Sequence, residues 1–377
     1  MNLKTEGDDT YYINDPNNKL ALNLTNAILQ KSKAKRFHSS LPFYKATPLV
    51  HLPNLSKKYK VGNIYLKDES FRFNLNAFKG LGASYAINEI LKDQPHIQTF
   101  CTATDGNHGR AVAWAAKYFD KKSVVLVPKD TTAQRIEAIK KEGAIVEQVD
   151  GNYDACCEYA KALSKKNGWQ LVQDTAWKGY EDIPAQIMAG YSTLFQEMEG
   201  TVHALPQPGI DIVFLQAGVG SFAAAGVGYY LERYGANRPK IVIVEPQEAD
   251  AILCSFKKGE IATSTGNSQT VMAGLNCGTP SLSAWDIIKN GADISIKIDD
   301  IYSKKAIRQL YDPVGSDQRV ISGESGAGGL AGFISIMTEE KFRPLKKELN
   351  IHEGTNILFV STEGATDLDM FNQIIGA

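Results

Sequence analysis

The chain reads as an α/β protein with two open, mostly parallel twisted sheets covered by helices, the smaller lobe inserted in the larger. Three observations predict this. The chain has 377 residues, too many for one comfortable core and enough for two. From residue 97 onward, short apolar runs alternate with amphipathic ones, the pattern of strands joined by crossover helices. Those runs are apolar almost throughout, as strands covered on both faces are.

Taken in order, residues 1–17 are polar and read as an arm, and Leu20 to Lys35 carries a rough helical stripe of Leu20, Leu22, Leu24, Ile28 and Leu29. Thr47-Pro48-Leu49 opens an extended segment, Ile64 to Leu66 reads as a strand and Phe78 to Leu91 as a helix. The regular part then has strands at Thr99 to Thr104, Ser123 to Val127, Ala144 to Val149 and Trp169 to Asp174. Between them lie helices at Arg110 to Phe119, Thr132 to Glu142 and Tyr153 to Lys166, with Pro128 and Gly143 as stops. A helix at Ile183 to Met198 and a loop with Pro206 and Pro208 lead to a strand at Ile212 to Gln216, a helix at Phe222 to Tyr234 and a strand at Ile241 to Val244. Ile357 to Ser361 is the last expected strand. The expected division is a large domain of residues 1–96 and 179–377 and a small one of 97–178.

Composition excludes several classes. Hydrophobic residues make up 43% and charged residues 22%, with a net charge of -1, so nothing draws the chain to nucleic acid or an anionic membrane. Its five cysteines show no Cys-x-x-Cys spacing, which argues against a disulfide framework or zinc site and for reduced thiols in the cytoplasm. Met1 to Thr10 carries Glu6, Asp8 and Asp9 without an apolar stretch, unlike a secretory signal. No apolar run approaches the ~20 residues that cross a bilayer.

Four segments carry chemistry. In Asn76-Ala77-Phe78-Lys79-Gly80 a lysine follows an aromatic ring where a helix should open. Such a lysine suits a Schiff base with an aldehyde cofactor, and partial burial is expected to lower its pKa. Gly218-Val219-Gly220-Ser221 joins a strand to a helix whose first N–H groups and dipole would hold a phosphate. Gly218-x-Gly220-x-x-Ala223, with Glu245 ending the next strand, equally satisfies a dinucleotide fingerprint, so a nicotinamide enzyme competes at this point. Thr104-Asp105-Gly106-Asn107-His108-Gly109 lies at a strand's carboxyl end, where Asn107 can donate to a phenolate oxygen and Asp105 can act as acid or base. The plain alternative there is a helix N-cap. Ser361-Thr362-Glu363-Gly364 puts hydroxyls at another strand end, suited to a heteroaromatic nitrogen or to a simple turn.

Together these segments resemble the fold-type II family of pyridoxal-phosphate enzymes, and within it the branch acting on diaminopropionate. The resemblance rests on Lys67-Asp68-Glu69-Ser70, Asn76-Ala77-Phe78-Lys79, Thr104 to Arg110 and Gln173-Asp174-Thr175-Ala176-Trp177. It continues through Gln216 to Gly220, Met272-Ala273-Gly274-Leu275, Ile321 to Ala327 and Ser361 to Gly364. It implies pyridoxal 5'-phosphate as cofactor, with Lys79 carrying the Schiff base, Phe78 packing on the ring and Asn107 bonding the ring oxygen. Gly218, Val219, Gly220 and Ser221 would cradle the phosphate, and Ser361 or Thr362 would face the pyridine nitrogen. Asp105 would serve the second face of the substrate, and Asp174, otherwise a cap or ion-pair member, would be a further catalytic carboxylate. Thr104, Asp105 and Asp174 would touch a small amino-acid substrate.

The implied activity is β-elimination of 2,3-diaminopropionate, D or L, to pyruvate and ammonia, by a homodimer. A serine, threonine or D-serine ammonia-lyase of the same family is the nearer alternative and a nicotinamide oxidoreductase the farther one. Glu245-Pro246 resembles the start of a cation site in related racemases, but Ala251 stands where a further Asp is required, so no metal is expected.

Overall fold

The computed structural model describes residues 9–29, 33–104, 106–151, 153–203 and 209–376. Its strands, in chain order, are β1 (Tyr11–Ile13), β2 (Leu49–His51), β3 (Asn63–Asp68), β4 (Thr99–Ala103), β5 (Lys122–Pro128) and β6 (Ile145–Val149). They continue with β7 (Gln170–Leu171), β8 (Ile212–Gln216), β9 (Lys240–Pro246), β10 (Ile294–Ile298) and β11 (Asn356–Ser361). The larger sheet runs β1-β10-β9-β8-β11-β3-β2 and the smaller β6-β5-β4-β7. Pairing is parallel except at the two edges of the larger sheet, where β1 lies antiparallel to β10 and β2 to β3. The fold is thus α/β with two mainly parallel sheets.

The strand pleat feeds two cores. Val213 and Leu215 of β8 enter one apolar cluster, while Ile212 and Phe214 enter the other. Leu358 and Val360 of β11 divide from Ile357 and Phe359 in the same way, as period-two alternation requires. On one face the helix Gly328–Thr338 sets Phe333 against Phe214 and Phe359, with ring centroids 5.8 and 5.5 Å apart. Truncating such a ring costs about 3–5 kcal/mol. On the other face the helices Asp182–Gln196 and Ser221–Tyr234 pack Phe195 on Phe222 and Tyr230. That second core also takes in Phe100, Ala111, Val112 and Val172 around the small sheet, so apolar contact runs unbroken between the sheets.

Several expectations need correction. The polar arm contains β1, because Tyr11-Tyr12-Ile13 finds a partner edge in β10. The long N-terminal helix is instead Asn18–Leu29, with a separate helix Ala34–Ser40 beyond residues 30–32, which lie outside the described residues. Of Trp169 to Asp174 only Gln170–Leu171 pairs as a strand, because Gln173 turns its amide onto the backbone carbonyl of Ala103. The region from 247 to 356, left unread in the sequence, holds β10 and the helices Ala251–Lys258, Leu282–Gly291, Asp300–Tyr311, Gly328–Thr338 and Arg343–Glu348.

Candidate active site

The carboxyl ends of β4, β8 and β11 converge on a cavity lined by Phe78, Lys79, Thr104, Asn107, Asp174, the 218–221 loop and Thr362, among others. Open α/β sheets bind ligands at these ends.

Lys79 reaches the cavity through an unusual approach. After β3, a 3-10 turn at Glu69–Asn74 leads into Phe73, Asn74 and Asn76 with φ of 51°, 58° and 58°. Left-handed backbone is disfavoured for residues with a Cβ, least so for Asn. The segment is held on both sides. Upstream, Arg72 is buried in a charge cluster with Glu69 and Glu197. Downstream, Gly364 N donates to Asn76 O at 2.9 Å and Phe78 N to Thr362 O at 3.0 Å, fastening the lysine to the end of β11. Lys79 then stands just before the helix Gly80–Asp93. Phe78 packs on Tyr191 and Phe222, with centroids 4.6 and 5.0 Å away.

Lys79 Nζ lies 2.5 Å from Asp174 Oδ2. The expected lowering of the lysine pKa is therefore reversed. Burial pushes it down most strongly, but Asp174, joined by Tyr191 and Cys277, outweighs burial and holds the ammonium above its ordinary value. For Asp174, burial alone would raise the pKa, whereas its neighbours His108 and Lys79 hold it at about 2. Burial keeps His108 below its ordinary value, which leaves Lys79 as the cation at neutral pH. His108 Nε2 donates to Val172 O at 2.9 Å, so Nδ1 is the bare nitrogen, 3.6 Å from Asp174 Oδ2. Tyr153 hydroxyl stands 3.5 Å from Asp174 Oδ1 and accepts from Gln173 Nε2 at 2.7 Å. Asp174 is thus an ion-pair member inside the cavity rather than a helix cap.

The 218–221 loop has the form of an anion cradle. Gly220 has φ of 95°, and the helix Ser221–Tyr234 opens directly after it. A Cβ at Gly218 would stand 3.0 Å from Cys277 Sγ and 3.1 Å from Leu275 Cα, so a side chain there would crowd the loop. Ser221 Oγ donates to the Asp174 carbonyl at 2.6 Å, tying the cradle to the acid. Thr104 also lines the cavity, and its Oγ accepts from Gly106 N at 2.9 Å. Asn107 is not a cap: Gly106 holds that place, and the Asn107 amide donates to Glu363 Oε2.

The two candidate hydroxyls part company. Thr362 lines the cavity and its Oγ accepts from Gln216 Nε2 at 3.0 Å. Ser361 donates to Ser322 Oγ at 2.8 Å and is absent from the cavity wall among the described residues. Asp105 lies outside the described residues. Glu245, the ribose-binding candidate, spends both oxygens on Ile252 N and Leu253 N at the start of the helix Ala251–Lys258, at 2.7 and 2.8 Å. Sequence reasoning assigned no role to Glu363, Gln216, Tyr153 or Tyr191. Glu363 and Gln216 stand inside quoted motifs, so position alone flagged them, but their partners are distant in the chain.

An amine, a phosphate cradle at a helix start, a flanking aromatic face and a wall hydroxyl fit pyridoxal phosphate, and Glu245's full use leaves the dinucleotide reading without its acid. Residues 41–363 match the family described as "Pyridoxal-phosphate dependent enzyme". The chain is 40% identical to diaminopropionate ammonia-lyase of Salmonella typhimurium over 363 residues, 90% of each chain. Diaminopropionate ammonia-lyase from Escherichia coli, solved with an aminoacrylate-cofactor reaction intermediate, superposes with a TM-score of 0.88 at 36% identity, covering 97% of this chain and 96% of that one. The same enzyme solved with D-serine also gives 0.88, at 35% identity over 97% and 96%. The chain belongs to the fold-type II pyridoxal-phosphate-dependent enzymes, and its cofactor is pyridoxal phosphate.

Proposed function

We propose that the protein is a carbon-nitrogen lyase that eliminates ammonia from D- or L-2,3-diaminopropionate. The observation that carries this is the cavity pair Lys79–Asp174, 2.5 Å apart, in a chain 40% identical to a lyase of that substrate. Lys79 would hold the cofactor, Phe78 would pack on its ring, Asn107 would bond its ring oxygen, the 218–221 loop would hold its phosphate and Thr362 would face its nitrogen. Bound there, pyridoxal phosphate supplies an electron sink for the charge left at Cα. A neutral hydroxyl at the nitrogen makes that sink modest, which favours prompt loss of a β-leaving group.

The chain's own residues supply the proton transfers. Lys79, once it has given up its ammonium proton, takes the Cα proton on its face. Asp105 takes it on the other, which supports turnover of both isomers, and the E. coli enzyme's complex with D-serine supports the same reading. Asp174 is held ionised by the Lys79 ammonium; once that charge is given up, burial raises its proton affinity and lets it serve the departing β-nitrogen. Thr104 and Asp174 border the substrate. The β-amine leaves as ammonia, and the 2-aminoacrylate formed takes up water to give pyruvate and a second ammonia.

Residues 97–178 act as the small domain and 1–96 with 179–377 as the large one. The protein works as a cytoplasmic homodimer; Phe43 and Tyr118, part-exposed rings 5.4 Å apart, offer apolar surface for a second copy. No described helix is long and apolar enough to cross a membrane. The deciding assay measures pyruvate and ammonia from D- and L-diaminopropionate beside serine, threonine and D-serine. Two ammonia per pyruvate with the diamino acid preferred is the expected result; preference for a hydroxy-amino acid would move the protein to the neighbouring activity.

A further inference from the structure

Asn107 opens a helix of the small sheet, and Glu363 follows β11 of the large one. They meet at the cavity, where Asn107 Nδ2 donates to Glu363 Oε2. The carboxylate is itself fixed: Oε1 accepts from Ser325 N at 3.1 Å, and the Thr366 hydroxyl stands 3.5 Å from Oε2. Its backbone is fixed as well, by Gly323 N donating to Glu363 O at 3.0 Å and by an isolated bridge to Ala77, two residues before Lys79. Glu363 is 5% exposed, and the reaction outlined above makes no use of its charge.

We propose that Glu363 is a positioning residue that fixes which way round the Asn107 amide sits. A carboxylate only accepts, whereas an amide presents N–H groups at one end and oxygen lone pairs at the other. The end of Asn107 facing Glu363 must therefore be nitrogen, and the flipped rotamer is excluded. With one N–H spent on Glu363, the second is turned toward the cofactor's ring oxygen. The flipped amide would set its own lone pairs against that oxygen and repel it. A neutral partner able both to donate and to accept would allow either arrangement. This rests on the reading that Asn107 holds the ring oxygen.

The test uses Glu363→Gln, Glu363→Asp, Asn107→Ala and the double variant Glu363→Gln/Asn107→Ala. The readouts are the absorption band of the bound cofactor and the cofactor Kd from titration of the cofactor-free protein. Asn107→Ala is expected to shift the band and weaken binding about tenfold, the scale of a hydrogen bond to a charged group. Glu363→Gln, which keeps the shape, should shift the band the same way and weaken binding about threefold or more, part of that same hydrogen-bond contribution. Glu363→Asp keeps the charge but shortens the reach by a methylene, and it should behave alike. Because Glu363 acts through Asn107, the double variant should match Asn107→Ala alone. Wild-type band and Kd in Glu363→Gln or Glu363→Asp would overturn the proposal, as would full additivity in the double variant, which would mean that the carboxylate acts by charge alone. An unchanged band and Kd in Asn107→Ala would overturn the ring-oxygen reading and the proposal with it.

Discussion

Two groups of buried charges flank the segment that delivers the Lys79 amine to the cavity, and they are built to opposite ends. The first joins Lys67, Glu69, Arg72 and Glu197, each with a side chain at most 1% exposed. It is saturated. Arg72 reaches both carboxylates through four hydrogen bonds of 2.7–2.8 Å, and Lys67 Nζ donates to Glu197 Oε2 at 2.6 Å and to Thr47 O at 2.7 Å. Tyr44 and Thr47 hydroxyls fill remaining acceptor sites on Glu197 and Glu69. The second group, Lys79 with Asp174 and His108, makes one close ion pair, and its cation is 19% exposed to the cavity. A saturated cluster is rigid and inert, while an open one leaves protons that can move. The first anchors the left-handed turn at 73–76, and the second uses the position that the turn provides.

Substitutions should separate the two. Lys79→Ala should reduce turnover to background while the fold persists, checked by pyruvate assay and circular dichroism. Glu197→Ala leaves the buried cations Lys67 and Arg72 with Glu69 as their one remaining carboxylate and should cost about 3–5 kcal/mol in denaturant unfolding, the penalty for breaking a buried pair. If Lys79→Ala destabilised the fold as much as Glu197→Ala, the contrast between an anchoring and a working group would fail. Asp105→Asn should lower turnover of the D isomer about a hundredfold, the low end of general acid-base catalysis, and of the L isomer far less. Equal losses would remove the two-face assignment.

The acid limb gives a gentler test. Burial would raise the Glu197 carboxyl, but Arg72 and Lys67 hold it at about 2, below its ordinary 4.5. A lowered carboxyl pKa stabilises the fold above the unfolded-state value and loses that contribution as pH falls through the folded one. About 3 kcal/mol should therefore disappear between roughly pH 4.5 and 2, a loss absent from Glu197→Gln. An equal acid loss in both proteins would show that Glu197 does not set it. Smallest of all, Thr362→Val should weaken cofactor binding about 3- to 10-fold, the worth of one neutral hydrogen bond, with Ser361→Ala within about twofold of wild type. The reverse order would exchange the two hydroxyls.

The contrast also marks what the sequence made legible. Asn107, the 218–221 loop and the Ser361-Thr362 pair stand at or just past strand ends beside glycines, and Lys79 stands at a helix start beside one, where local pattern and chemistry coincide. The fold class was readable because β8, β9 and β11 are nearly all apolar, as strands covered on both faces are. β10 escaped although Ile294, Ile296 and Ile298 alternate with Ser295 and Lys297, a clear period-two signal in a region read without helices. Ser361 and Thr362 could not be told apart without knowing which turns toward Gln216. The Lys79 pKa was misjudged because Asp174 is 95 residues away in the chain, so burial was visible in the sequence and its counter-charge was not. Glu363 was hidden for the same reason, its amide partner lying 256 residues earlier.

The most direct measurement is borohydride reduction of the purified protein followed by peptide mass analysis. The cofactor mass should be fixed on the peptide carrying Lys79 and lost in Lys79→Ala. A reduced adduct on another side chain, or none at all in protein that turns over diaminopropionate, would contradict the account.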